Sequence, residues 1–125
     1  MVGGPPGWPP SLPPPGTQEF AARAPGWLFE LCPPRYRDHP VLRRQPRVLA
    51  WLAVRHVQAE SRAVIEAIAA ARAELGGTAT ARVDARALAQ VLLALDQEST
   101  LLMADLRAAR LVEQALSDVR FVPRL

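Results

Sequence analysis

Few side chains in this 125-residue chain could do chemistry: one cysteine, two histidines and twelve acidic residues. His56 and Glu60 are four residues apart, so they share one face of a helix. A carboxylate-histidine metal site between bundle helices needs several more ligands. The pattern offers only Asp96 and Glu98 at a comparable level, and Glu98 projects away from the predicted contact. We therefore interpret these residues as a solvated polar patch and expect no metal or other cofactor.

The pair Cys32 and His39 is the other combination of a nucleophile with a base. A catalytic cysteine needs a positioned base that a third group orients, together with donors for the developing oxyanion. The sequence provides neither, and a lone cysteine beside an apolar cluster is usually a small buried hydrophobe. We therefore expect a protein that is not an enzyme.

The strongest remaining signal is a basic segment at 35–62, which carries seven arginines against Asp38 and Glu60. All 15 basic residues of the chain are arginines. A high pI by itself indicates solubility and non-specific binding, so it is weak evidence for a nucleic-acid partner. Five of them, concentrated at the start of the segment, are candidate contacts for phosphates or for an acidic protein: Arg35, Arg37, Arg43, Arg44 and Arg47. The alternative is a solvated surface with local ion pairs.

The first 26 residues contain eight of the 13 prolines and five of the seven glycines. Such a composition buries too little apolar surface to offset the entropy of ordering. We therefore expect a disordered tail over 1–26, and its Pro13–Pro15 run favours extended polyproline geometry. A ligand for an aromatic-lined groove is the functional alternative to a solvated tail.

An apolar cluster follows the tail and reads as a short helix at about 27–32. It ends there because Pro33 disfavours the α conformation at Cys32. We expect this helix to pack on the rest of the fold, with binding to a partner as the alternative. The candidate hydrophobic docking residues are Trp27, Phe29, Leu31 and Trp51. A basic loop over 33–45, with a helical turn at about 41–45, completes this region.

Two long helices are predicted, over about 46–75 and 85–119. Apolar residues recur in each with the 3.5-residue period that is typical of a coiled-coil seam. The first seam comprises Ala50, Val54, Val57, Ser61, Val64, Ile68, Ala71 and Leu75, and the second comprises Leu88, Leu92, Leu95, Ser99, Leu102, Leu106, Ala109, Glu113 and Leu116. Gly76 and Gly77 end the first helix, and Asp84 is a good N-cap for the second.

Helices joined by such a short connection must run antiparallel. Equal steps from the loop place Ser61 level with Ser99 and Arg47 level with Glu113. The predicted fold is therefore all-α: a long antiparallel two-helix hairpin, coiled-coil-like, with a short N-terminal helical segment packed on it. The hairpin domain spans 27–125.

Several apolar residues lie off these seams, and leaving them exposed is costly. A second copy of the chain would cover them in an antiparallel four-helix bundle, so we expect a homodimer. The expected function is a helical protein–protein interaction or scaffolding module with an unknown protein partner, and the alternative is a nucleic-acid-associated accessory protein. The N-terminus lacks the pattern of a signal peptide and no stretch reaches a membrane span. We expect a cytoplasmic protein without membrane contact.

Overall fold

The computed structural model describes residues 3–76 and 83–120, with the backbone alone at 118–120. Its helices are α1 (Gln18–Phe29), a 3₁₀ helix (Pro34–Asp38), α2 (Pro40–Arg44), α3 (Pro46–Glu74) and α4 (Ala85–Arg120). The described ranges contain no strand. The all-α hairpin with a short N-terminal helix is confirmed, since α3 and α4 pack against each other. Gly77 and 121–125, on which parts of the predictions fall, lie outside the described residues.

The long helices form where capping residues and the absence of breakers favour them. Pro46 occupies the first position of α3, where its missing N–H and fixed φ are tolerated. The predicted N-cap of α4 is confirmed: Asp84 Oδ1 accepts a 2.7 Å hydrogen bond from the Ala87 amide. Every seam position of both helices is buried or partly buried. The predicted hairpin seam is therefore the side along which α3 and α4 turn away from solvent.

The chain forms two compact units. The first contains the residues up to Val57 and those from Ala104 onward, and the second contains Gln58–Met103. The largest fully buried side chains of the first unit are Phe20, Phe29, Leu28, Leu49, Val57 and Val112. Segments from the N-terminal arm (residues 3–17), α1, α3 and α4 therefore share one core in this unit.

The N-terminal arm is ordered, which corrects the expectation of a disordered tail for residues 3–26, the described part of the predicted range 1–26. Trp8 packs on Phe20 with ring centroids 5.3 Å apart. Its indole Nε1–H donates to the carbonyls of Leu12 and Pro13, at 3.2 and 3.1 Å. Leu12 is itself buried. Composition misled here because prolines already restrict the unfolded chain, so ordering them costs less entropy than average.

Helix α1 begins at Gln18, nine residues before the predicted short helix at 27–32, and ends at Phe29. Pro25 lies inside it, although an interior proline costs about 3 kcal/mol. Phe20 and Leu28 are both fully buried, and burying each contributes roughly 1.5–3 kcal/mol. Together these burials offset the proline, so the helix continues through it.

The predicted basic loop over 33–45 contains two short helices. Pro34 begins the 3₁₀ helix and Pro40 begins α2, each at a position that suits proline. The helical turn expected at about 41–45 corresponds to α2. The prediction therefore missed the 3₁₀ helix but placed the helical turn within one residue.

The second unit is a pair of helical segments with little interior. Ser61 and Ala71 are the buried residues among those described in it. Ser61 Oγ lies 3.9 Å from Met103 Sδ, and a Cβ at Gly76 would lie 3.4 Å from Leu88. The two contacts agree with an antiparallel pair, because Ser61 and Gly76 are 15 residues apart on one side and Leu88 and Met103 are 15 residues apart on the other. Ser61 therefore contacts the side chain of Met103, which is one turn beyond Ser99, the residue predicted to lie level with it.

Among the described residues, no helix combines the length and the apolar character needed to cross a membrane.

Candidate interaction surfaces

All five predicted arginines lie in the first unit and are exposed. Arg35 and Arg37 are on the 3₁₀ helix, Arg43 and Arg44 are on α2, and Arg47 is in the first turn of α3. The 3₁₀ helix contacts both α1 and α2. These contacts bring two of the arginines, Arg37 and Arg43, to the same aromatic ring.

That ring belongs to Phe29. The guanidinium carbons of Arg37 and Arg43 lie 5.6 and 5.0 Å from its centroid, within the range of cation–π attraction. Arg37 also forms a 2.7 Å ion pair with Glu30, but both side chains are largely exposed and the pair contributes little. Local pairing therefore occupies Arg37 and Arg43, whereas Arg35, Arg44 and Arg47 keep exposed charges.

The four predicted docking residues separate in the structure. Phe29 is 1% exposed and belongs to the core, so it is not a docking residue in this conformation. Trp27 and Leu31 are partly buried against that core. Trp51 is 47% exposed and offers a large aromatic face to solvent. A partner therefore has access to Trp51 but not to Phe29.

Trp51 is the centre of a mixed apolar and basic surface. Val48, one turn earlier on α3, is 46% exposed. Arg55, one turn later, stacks on Trp51 with its guanidinium carbon 4.2 Å from the ring centroid. A cavity of about 240 Å³ lies at this surface. It is lined by Arg47, Val48, Trp51, Glu113 and Ser117. We refer to these residues, together with Arg55, as the Trp51 surface.

The cavity also tests the level predicted for Arg47 and Glu113. Both residues line it, so α3 and α4 bring them to the same region of the first unit. The side chains place one positive and one negative charge beside an apolar centre.

A second cavity, of about 420 Å³, lies on α1. Its lining combines two arginines with a carboxylate and apolar residues: Ser11, Leu12, Ala22, Arg23, Gly26, Trp27, Glu30 and Arg43. Arg43 is already engaged with Phe29, and Glu30 with Arg37. Two of the three charged groups of this cavity, Arg43 and Glu30, therefore already take part in contacts between α1, the 3₁₀ helix and α2.

The second unit exposes apolar residues on α4. Leu93 is 60% exposed, Leu101 is 58% exposed and Met103 is 50% exposed. Asp96 and Gln97, three and four residues after Leu93, are also exposed and share its side of the helix. We refer to Leu93, Asp96, Gln97 and Leu101 as the α4 face. This face lies in a stretch of the second unit, 87–103, that has two acidic residues and no basic one. Met103, two residues after Leu101, lies on the other side of α4, against Ser61.

The residues considered for metal binding or catalysis have structural roles or solvent contact. His56 Nε2 shares a 2.7 Å hydrogen bond with the Tyr36 hydroxyl, and the two rings meet edge to face. Cys32 is buried and His39 is exposed. Within the part of the chain that the structure describes, no group of three His, Cys, Asp or Glu residues could hold a metal ion.

Sequence reasoning missed Arg55 and the α4 face as parts of surfaces. Arg55 follows Trp51 by four residues, and this spacing on a helix was a visible sign of their contact. Leu93 and Leu101 were visible as apolar residues off the seam, but the seam pattern does not show whether another element covers them. No protein-family model, curated protein or solved structure matches this chain.

Proposed function

We propose that this protein is a non-enzymatic helical interaction module that associates with itself, using the α4 face as a contact. The observation that supports this proposal is the exposure of Leu93 and Leu101, at 60% and 58%, on one side of α4 in a two-helix unit. Grouped apolar side chains in solvent are costly and typically mark a contact with another protein. The proposed compartment is the cytoplasm, where a single cysteine fits a reducing environment.

A second copy is the favoured partner because it supplies the missing helical layer. Two helices bury only the residues between them, and two such pairs packed together bury a shared interior. Most oligomers of identical chains are closed and symmetric, with two-fold dimers the commonest. This supports a homodimer as the form in which the module acts.

The test is the concentration dependence of the molecular mass, measured by sedimentation equilibrium. The wild-type chain is expected to shift from monomer toward dimer as its concentration rises. Leu93→Ser with Leu101→Ser should weaken this association at least about tenfold, since each buried leucine is worth roughly 1.5–3 kcal/mol. A wild-type monomer at every accessible concentration would overturn the proposal.

Val41→Ser is the matched control for that experiment. Val41 is 52% exposed but lies on α2, outside the α4 face. The control changes the same kind of side chain and should leave association unaltered. Circular dichroism of each variant shows whether the helices remain.

A second candidate function is binding to nucleic-acid phosphates through the five predicted arginines. It is favoured by the exposed charges of Arg35, Arg44 and Arg47, of which Arg47 lines the cavity beside Trp51, since arginine and aromatic side chains together bind single strands. Titration with mixed-sequence DNA and RNA at several salt concentrations tests it. Binding that falls steeply with salt and is lost when the five arginines become glutamine would support this function, and no binding at low salt would remove it.

A further inference from the structure

We propose that the Trp51 surface of one copy receives the α4 face of a second copy. This inference rests on the self-association proposed above and adds which two surfaces meet. Each chain carries both surfaces, so a two-fold dimer would contain the contact twice. The occupant of the Trp51 surface is therefore another copy of this chain.

Charge complementarity is the first argument. The Trp51 surface carries the exposed guanidinium groups of Arg47 and Arg55, and Glu113 is partly buried in its cavity. The α4 face carries the Asp96 carboxylate and lies in the stretch 87–103 of the second unit, whose net charge is −2 from Asp96 and Glu98. Opposite fields of this kind select a partner and orient it.

Apolar complementarity is the second argument. Trp51 and Val48 are each exposed by nearly half beside a cavity of about 240 Å³, which is large enough for a leucine side chain. Leu93 and Leu101 are more than half exposed and have no cover within the second unit. Seating one of them beside Trp51 would bury apolar surface on both copies at once. Tryptophan and arginine are also the residues that most often dominate interface energies.

Preorganisation is the third argument. Arg55 is stacked on Trp51 at 4.2 Å, so its guanidinium already has a fixed position beside the apolar centre. A contact that uses an already ordered arginine loses less side-chain entropy on binding.

The experiment exchanges charges between the two surfaces of the full-length chain. One variant carries Arg47→Glu and Arg55→Glu, and the other carries Asp96→Arg and Gln97→Arg. Each alone should weaken self-association at least about tenfold, because it places like charges opposite each other. An equimolar mixture, with one variant fluorescently labelled, should form a heterodimer with affinity near the wild-type value. In that heterodimer both contacts again join opposite charges.

Matched controls make the same charge changes elsewhere in each unit. Arg23→Glu with Arg35→Glu replaces two exposed arginines outside the Trp51 surface, and Glu66→Arg with Ala67→Arg replaces exposed residues of α3. These variants should associate like the wild-type chain. Rescue by mixing also distinguishes a lost contact from misfolding, since a misfolded variant would not associate with the other variant.

The outcomes separate this inference from the proposed function. If the wild-type chain associates but the charge variants associate equally well, or if mixing does not restore affinity, the pairing of these surfaces is wrong while self-association remains. If the wild-type chain is monomeric throughout, the proposed function fails as well. Loss of association in each variant together with rescue in the mixture supports both.

Discussion

At the scale of single residues, Trp8 determines whether the N-terminal arm belongs to the fold. Its ring contacts Phe20, and its Nε1–H donates to two carbonyls of its own arm. A Cβ at Gly4 would overlap the indole, so glycine permits the close approach there. Gly7 takes a φ of +89°, a left-handed conformation that costs glycine little. The arm is therefore shaped around one aromatic side chain.

We predict that Trp8→Ala lowers the free energy of unfolding by about 2–3 kcal/mol, somewhat less than for a fully buried aromatic residue. Trp8→Phe keeps the ring contact and loses the two hydrogen bonds, so it should cost about 1 kcal/mol. Urea unfolding monitored by circular dichroism measures both. Trp51→Phe, at an exposed ring, should stay within about 0.5 kcal/mol of wild type. Equal stability of Trp8→Ala and wild type would mean that the arm is a solvated tail.

Particular residues show why the sequence predicted the arm wrongly. Phe20, Ala24 and Leu28 recur every four residues and are all fully buried, so a helical stripe was visible before 27. Pro25 and Gly26 hid this stripe from the prediction, because a reading by composition counts every proline as a residue that ends a helix. The helix persists because a proline in a short helix is outweighed by two large buried side chains.

At the scale of helices, end capping explains where α1 begins. Thr17 Oγ1 accepts a hydrogen bond from the Phe20 amide at 3.1 Å and donates one to the Pro14 carbonyl at 2.8 Å. The first bond satisfies one of the unpaired amides of the first turn. The second joins the cap to the proline-rich arm. One side chain thus links the arm to the helix that it covers.

Thr17→Ala should lower the free energy of unfolding by about 1–2 kcal/mol, because both bonds of the cap are lost. Thr17→Ser keeps the hydroxyl and should lower the free energy of unfolding by only about a few tenths of a kcal/mol. Thr100→Ala is the control: its hydroxyl bonds the Asp96 carbonyl within α4, on an exposed surface, and alanine favours a helix interior. Thermal unfolding of the three variants measures the order of their stabilities. A Thr17→Ala variant as stable as Thr100→Ala would contradict this account of the cap.

The two long helices were predictable because their signals are local. The seam period, Pro46 and the Asp84 cap predicted both helices to within about a residue at each described end. Register is not local: it depends on how the chain returns between Gly76 and Val83, and no residue pattern specifies that path. The Ser61 side chain contacts the Met103 side chain, one turn beyond Ser99. The Trp51 surface was only partly predictable, since the exposure of Trp51 depends on which side of α3 the arm covers.

At the scale of the whole molecule, the two units differ in how much they bury. The first unit has a core of side chains with almost no exposure, whereas the second has Ser61 and Ala71 as its buried residues among those described. Buried apolar area is the main stabilising contribution to folding. The second unit should therefore open locally far more often than the first in an isolated copy, and partner contact should change that.

Hydrogen exchange at two protein concentrations tests this expectation. At low concentration, amides of α3 over 49–57 should exchange slowly and those over 62–74 should exchange much faster, because opening the second unit exposes little apolar surface. At high concentration, protection over 91–103 should rise, since a ligand that binds the closed form stabilises it by mass action. The Leu93→Ser and Leu101→Ser variant should lack this rise. Uniform protection along α3 at every concentration would show that the second unit is stable without a partner, and the exposed leucines would then need another explanation.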